Sequence, residues 1–160
     1  MHLTRFTDYS LRVLIYLAIK GEQRSTITEI AERFDISRNH LMKVVQDLNH
    51  QGYITAIRGK NGGLLLKRDP ETIRLGELVR DTERDLSLVE CFGDENECVI
   101  TPACRLKPIL AEALAAFLAV LDQYTLADLL GPQRPGLVQL LHLEDATSPI
   151  APPQAPRPEA

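Results

Sequence analysis

Glycine is sparse, cysteine sparser still, and no run of apolar residues approaches the ~20 that a membrane-crossing helix needs. With nine glycines and three cysteines in 160 residues, the chain is neither collagenous nor a disulfide scaffold. The opening MHLTRFTDYSLR places charges where a secretory signal would carry its apolar stretch, so a cytoplasmic chain without a membrane partner is expected. The phosphate-loop spacing G-x-x-x-x-G-K-[ST] is missing, and no nucleophile with a partnering base can be read. We therefore expect no enzyme. Three cysteines cannot all pair within one chain, and none stands in a C-x-x-C pair, which disfavours a thioredoxin-like thiol site and a common zinc ribbon.

The net charge of -4 conceals a division. Residues 1–68 carry eleven Lys/Arg against six Asp/Glu, whereas residues 69–160 carry seven against sixteen. A basic first half in an acidic chain suggests a local anion-binding surface, with a merely solvated face as the bland alternative.

The pattern of the first half resolves that choice. Phe6, Val13, Leu14, Leu17 and Ala18 recur at helical spacing and predict a helix over about 6–20, with Asp8 in its first turn, where a carboxylate suits the dipole. Thr26-Ile27-Thr28-Glu29 has the spacing of a capping box and opens a short helix. After the brief turn at Asp35-Ile36, Ser37 should cap a third helix striped by Leu41, Val44, Val45 and Leu48. Two helices so closely joined predict a helix-turn-helix. The β-prone run Tyr53 to Arg58, the turn Gly59-Lys60-Asn61-Gly62-Gly63 and the return Leu64 to Lys67 predict a hairpin, which here is a wing.

The expected fold is mainly α with a small β-wing: a winged helix-turn-helix over 1–84, a cysteine-bearing loop over 85–104, and a dimerisation helix region over 105–131. A Pro-rich, disordered tail is expected over 132–160, where seven of the ten prolines lie between 132 and 158. The helix beginning near Leu106 is apolar round most of its circumference, with Glu112 its only charge between Pro108 and Leu121. Such a helix must be covered on several sides, by a second copy of the chain or by the chain's own core.

In a helix-turn-helix the N-terminal residues of the second helix reach base edges in the major groove. Here they are Ser37, Arg38, Asn39 and His40, with Lys43 one turn on. Arg suits a guanine edge, Asn an adenine edge, and Ser and Lys suit phosphates. Arg58, Lys60 and Asn61 could enter a neighbouring minor groove from the wing. Double-stranded DNA is the partner this constellation favours; a winged helix that binds only protein is the alternative.

Cys91, Cys98 and Cys104 are spaced C-x6-C-x5-C. Three thiolates on one loop can hold three corners of an iron-sulfur cluster, whose usual set is four. Ordinary buried cysteines and a zinc or thiol redox site compete with that reading. The missing ligand could be Glu90, Asp94, Glu95 or Glu97, or a carboxylate from elsewhere.

Taken together, the segments LTRFTDYSLRVLIYLA, SRNHLMKVV, RGKNGGLLL, SLVEC, ITPACRLK and LDQYTLADL resemble the IscR/RirA-like family of dimeric winged-helix iron-sulfur regulators, over roughly residues 1–143. The likeness is to the nitric-oxide-sensing repressors within it. The resemblance implies a homodimer on a palindromic operator, with nitric oxide as the signal. It also implies a [4Fe-4S] cluster, favoured over [2Fe-2S], on Cys91, Cys98 and Cys104. Asp8, in the FTDY motif, matches the residue that supplies the fourth ligand across the dimer. Arg105-Leu106-Lys107 stands where other members carry a histidine, which disfavours histidine ligation.

Overall fold

The structure is a computed structural model and describes residues 2–143. Helix α1 (Arg5–Lys20) is the centre of the molecule. Thr4 caps it through its side-chain oxygen, which accepts from the Thr7 amide, and Val13, Leu14, Tyr16 and Leu17 are sealed from solvent. Helix α2 (Ile27–Phe34) opens on the expected capping box: the Thr26 hydroxyl accepts from the Glu29 amide, and the Glu29 carboxylate accepts from the Thr26 amide. That carboxylate also takes the Tyr16 hydroxyl at 2.7 Å and the Lys20 ammonium at 3.1 Å, tying α2 to α1. Burial pushes the Glu29 carboxyl up, but these three donors outweigh it and hold the group below its ordinary range.

Asp35 turns the chain through the left-handed region at φ 51°, and helix α3 (Arg38–His50) follows. Leu41, Val44, Val45 and Leu48 form its buried stripe, as the spacing predicts. Ser37 does occupy the N-cap position, yet its hydroxyl makes no capping bond, so the expected cap is corrected to a backbone position alone. Strands β1 (Ile54–Ile57) and β2 (Gly63–Leu66) pair antiparallel, Ile54 opposite Leu66 and Ile57 opposite Gly63. A Cβ on Gly62 would collide with the Ile57 and Gly59 carbonyls, which is why the tight turn needs glycine there. Tyr53 leads into β1 fully buried, its hydroxyl donating to Asp81 at 2.6 Å beneath the Arg68 guanidinium.

Helix α4 (Leu75–Thr82) is bounded by two ties. At its C-terminal end Glu83, largely buried, accepts from the Thr4 amide at 2.7 Å and the Thr4 hydroxyl at 3.1 Å. At its N-terminal end Ile73 and Leu75 exchange backbone bonds with Leu126 and Tyr124 at 2.9 and 3.0 Å. Between these ties the chain makes an excursion through the cysteine loop and back along helix α5 (Leu106–Leu121). Asp122, at the C-cap of α5, receives Arg80 in a two-pronged ion pair at 2.7 and 2.6 Å.

Two short helices end the described chain: α6 (Leu126–Leu130) and α7 (Arg134–Leu140). Both depart from the expected division. Leu126 is fully buried in the same core as α1, although the sequence grouped it with the dimerisation region. The segment expected as tail continues as α7, with Val138 and Leu141 buried and Arg134 donating to the Ile19 carbonyl at 3.0 Å. The prolines misled because Pro135 sits in the first helical turn, where a missing amide costs nothing. The rest of the expected tail lies outside the described residues. No helix among the described residues is long and apolar enough to cross a membrane.

Candidate nucleic-acid interface and metal centre

Ser37, Arg38, Asn39, His40 and Lys43 are all exposed, on the face of α3 opposite its buried stripe. They lie on an element whose other side is pinned to α1 and α2, so a rigid support presents them. Arg58, Lys60 and Asn61 are likewise exposed, at the turn of the wing. Two residues that escaped the sequence reading set the wing against the helix. The Asn49 side-chain oxygen, at the end of α3, accepts from the Ala56 amide of β1 at 3.0 Å. Arg24, in the turn between α1 and α2, donates to the Asn61 carbonyl. Next to it Ser25 exchanges two backbone bonds with Leu64, at 3.1 and 2.7 Å, as a one-residue third strand. Arg24 and Asn61 are 37 positions apart, and no local pattern announces such a pair.

The cysteine loop is built from two single 3-10 turns, Glu90–Phe92 and Thr101–Ala103. The first carries Cys91; the second delivers Cys104, whose amide bonds the Thr101 carbonyl at 3.3 Å. Cys98 lies between them, its amide held by the Asn96 side-chain oxygen at 3.1 Å. All three thiols are free and half-buried. They line a single pocket of about 330 Å3 at the start of α5, walled by Val89, Ile100, Leu106 and Leu110 and bordered by Lys107.

Of the local carboxylates only Glu90 reaches this pocket, and its oxygen already accepts from the Glu97 amide at 2.6 Å. Asp94, Glu95 and Glu97 are exposed and do not line it. Asp8 is not at this pocket either. It sits half-exposed on α1, paired with Arg12 at 2.8 Å, and the Arg12 guanidinium lies 5.8 Å from the Tyr9 ring centre and 5.9 Å from that of Phe34. Among the described residues no three His, Cys, Asp or Glu side chains converge closely enough to hold one metal ion. Three thiols lining one pocket are the donor type of an iron-sulfur cluster, in which each thiolate takes a different iron. The donor set therefore fits an iron-sulfur cluster with one ligand still to be supplied.

Residues 3–132 match the family model for Rrf2, described as an iron-dependent transcriptional regulator. The chain is 52% identical to the HTH-type transcriptional regulator NsrR of Bacillus subtilis over 147 residues, covering 91% of this chain and 100% of that one. To NsrR of Geobacillus kaustophilus it is 55% identical over 132 residues, 81% of this chain and 90% of the other. Among solved structures, CymR, the global cysteine regulator of B. subtilis, superposes with a TM-score of 0.65 at 31% identity, over 81% of this chain and 95% of its own. IscR of T. potens shares the fold at a TM-score of 0.65 and 23% identity, over 94% of each chain.

Proposed function

The chain belongs to the Rrf2 family of winged-helix, DNA-binding transcriptional regulators, and from that premise we propose that it is a homodimeric, nitric-oxide-responsive repressor whose sensor is an iron-sulfur cluster. The observation that carries this reading is the single pocket lined by Cys91, Cys98 and Cys104 in a chain so similar to NsrR. Asp8 of the partner subunit supplies the fourth ligand. When bound, a [4Fe-4S] cluster with this donor set supplies one iron on a hard oxygen ligand, the corner most open to nitric oxide.

The protein's own residues do the rest. Val89, Ile100, Leu106 and Leu110 give the pocket an apolar lining, and the Lys107 ammonium offsets the charge of three thiolates. Asp8 and the DNA-reading surface share a rigid body, because α1 packs on α3. A ligand reaching from one subunit's α1 to the other's cysteine loop therefore fixes one reading head against the opposite subunit. Dimerisation through α5 accounts for a 16-residue helix with no buried residue of its own. Ser37, Arg38, Asn39, His40 and Lys43 enter successive major grooves of a palindromic operator, ~34–36 Å apart, and Arg58, Lys60 and Asn61 reach the flanking minor groove.

The test is the visible spectrum and operator affinity of anaerobically prepared protein, before and after titration with nitric oxide. A brown chromophore that bleaches together with loss of DNA binding is expected, and a Cys98→Ser protein should be colourless and indifferent to nitric oxide. A wild-type protein that stays colourless after reconstitution with iron and sulfide overturns the cluster. Nitric-oxide sensitivity retained by Cys98→Ser overturns the assignment of the cysteines.

A further inference from the structure

A recess of about 180 Å3 opens between the first turns of α1 and the outer face of α3, lined by Arg5, Phe6, Tyr9, His40, Lys43 and Val44. Its interior is apolar. Phe6 and Val44 line it, and the Tyr9 and His40 rings, 6.3 Å apart between centres, bring the two helices together at its edge. Its rim is cationic. Arg5 and Lys43 are both exposed, and among the described residues neither forms an ion pair. The nearest acid on α1, Asp8, is already engaged by Arg12 and leaves the Arg5 charge uncompensated.

Two unpaired cations beside an apolar wall complement one unit of a sugar-phosphate backbone. The guanidinium fork matches phosphate oxygens, and the carbon face of a deoxyribose can lie on the aromatic rings. The recess is continuous with the exposed face of the recognition helix, since His40 and Lys43 belong to both. We propose that Arg5, together with Lys43, binds a backbone phosphate of the duplex that the recognition helix reads, which makes α1 a second DNA-contacting element. The proposal rests on the DNA-reading role given to α3 above. It assigns α1 two tasks three residues apart: Arg5 toward DNA and Asp8 toward the sensor.

The experiment is a set of anaerobic anisotropy titrations of the full chain, reconstituted with iron and sulfide, against a 30-base-pair duplex that the wild-type protein so prepared has enriched from a random-sequence library, between 50 and 200 mM salt. Arg5→Gln should weaken binding of the dimer roughly a hundredfold, as expected when each of its two subunits loses one charge-assisted bond. It should also flatten the slope of log affinity against log salt by ~1.8, the signature of two fewer neutralised phosphates, one for each subunit of the dimer. Arg5→Lys should recover the slope, because a point charge suffices for counterion release. Arg84→Gln, which removes an exposed cation beyond α4, should leave both quantities unchanged. An unchanged slope in Arg5→Gln overturns the proposal even if affinity falls, since disturbed packing of α1 does not alter the count of neutralised phosphates. If Arg38→Gln abolishes binding while Arg5→Gln matches wild type, only the Arg5 contact is lost and the reading head stands. If the wild-type chain enriches no sequence, the DNA-reading role of α3 falls and the proposal with it.

Discussion

Helices α1 and α5 are each 16 residues long, and they could hardly be more differently placed. Eight residues of α1 are buried, among them Val13, Leu14 and Tyr16 at no measurable exposure. None of α5 is, although α5 is the more apolar sequence, and Leu106, Ile109 and Val120 each expose more than half their surface. Composition thus does not say where a helix is buried, only how much cover it must find. α1 finds that cover within its own chain. The exposed apolar surface of α5 is the strongest reason, within a single chain, to assign it to a second copy.

That contrast can be attacked from either side, beginning with α1. Leu14→Ala removes a fully buried side chain from the core and should cost about 2–5 kcal/mol, measured as a drop in the midpoint of denaturant unfolding. Ile109→Glu, on the exposed face of α5, should leave the fold of a single chain intact. Sedimentation should then report a monomer, and operator affinity should fall at least a hundredfold, about 3 kcal/mol, because two linked half-sites become one. A dimer that survives Ile109→Glu would move the subunit contact off this face.

Where the two regions join, Gly76 of α4 lies directly against the Asp122 carboxylate, leaving no room for a Cβ. Gly76→Ala should therefore push Asp122 off Arg80 and, because the displaced groups are the ends of two exposed side chains, cost no more than about 1 kcal/mol, with the loss read in thermal unfolding. A further effect, of the order of a lost cap, is expected at Glu29, which serves the capping box, Tyr16 and Lys20 at once. Glu29→Gln should cost about 1–2 kcal/mol near neutrality. Because the folded-state pKa is depressed, the carboxylate's contribution is present above its ordinary range and disappears as pH falls through the folded value. The stability gap between wild type and variant should shrink on acidification; a constant gap would show that charge plays no part.

What the sequence made legible follows the same division between local and remote. The Thr26 to Glu29 capping box, the stripe of α3 and the glycine-rich turn of the wing are written in adjacent residues, and each is found where its spacing places it. The cysteines could be counted but not assembled. Their convergence on one pocket depends on two 3-10 turns and an Asn96 bond that no periodicity announces. Helix α7 was illegible because its prolines argue against a helix locally, while the burial of Val138 and Leu141 depends on core contacts far back in the chain. Arg24 and Glu83 escaped for the plainest reason. Their partners lie 37 and 79 positions away, and a single sequence carries no mark of such pairs.

The two ties that bracket α4 have a consequence for the connectivity of the molecule. The chain leaves the head at Glu83 and re-enters it at Tyr124, and the returning segment is bonded to Ile73 and Leu75 independently of the path between. Residues 84 to 121 are thus a loop inserted into a unit that already holds its own ends together. A protease that nicks the exposed stretch from Asp94 to Glu97 should yield two fragments that elute as one particle and melt together, because continuity of the backbone is not what joins them.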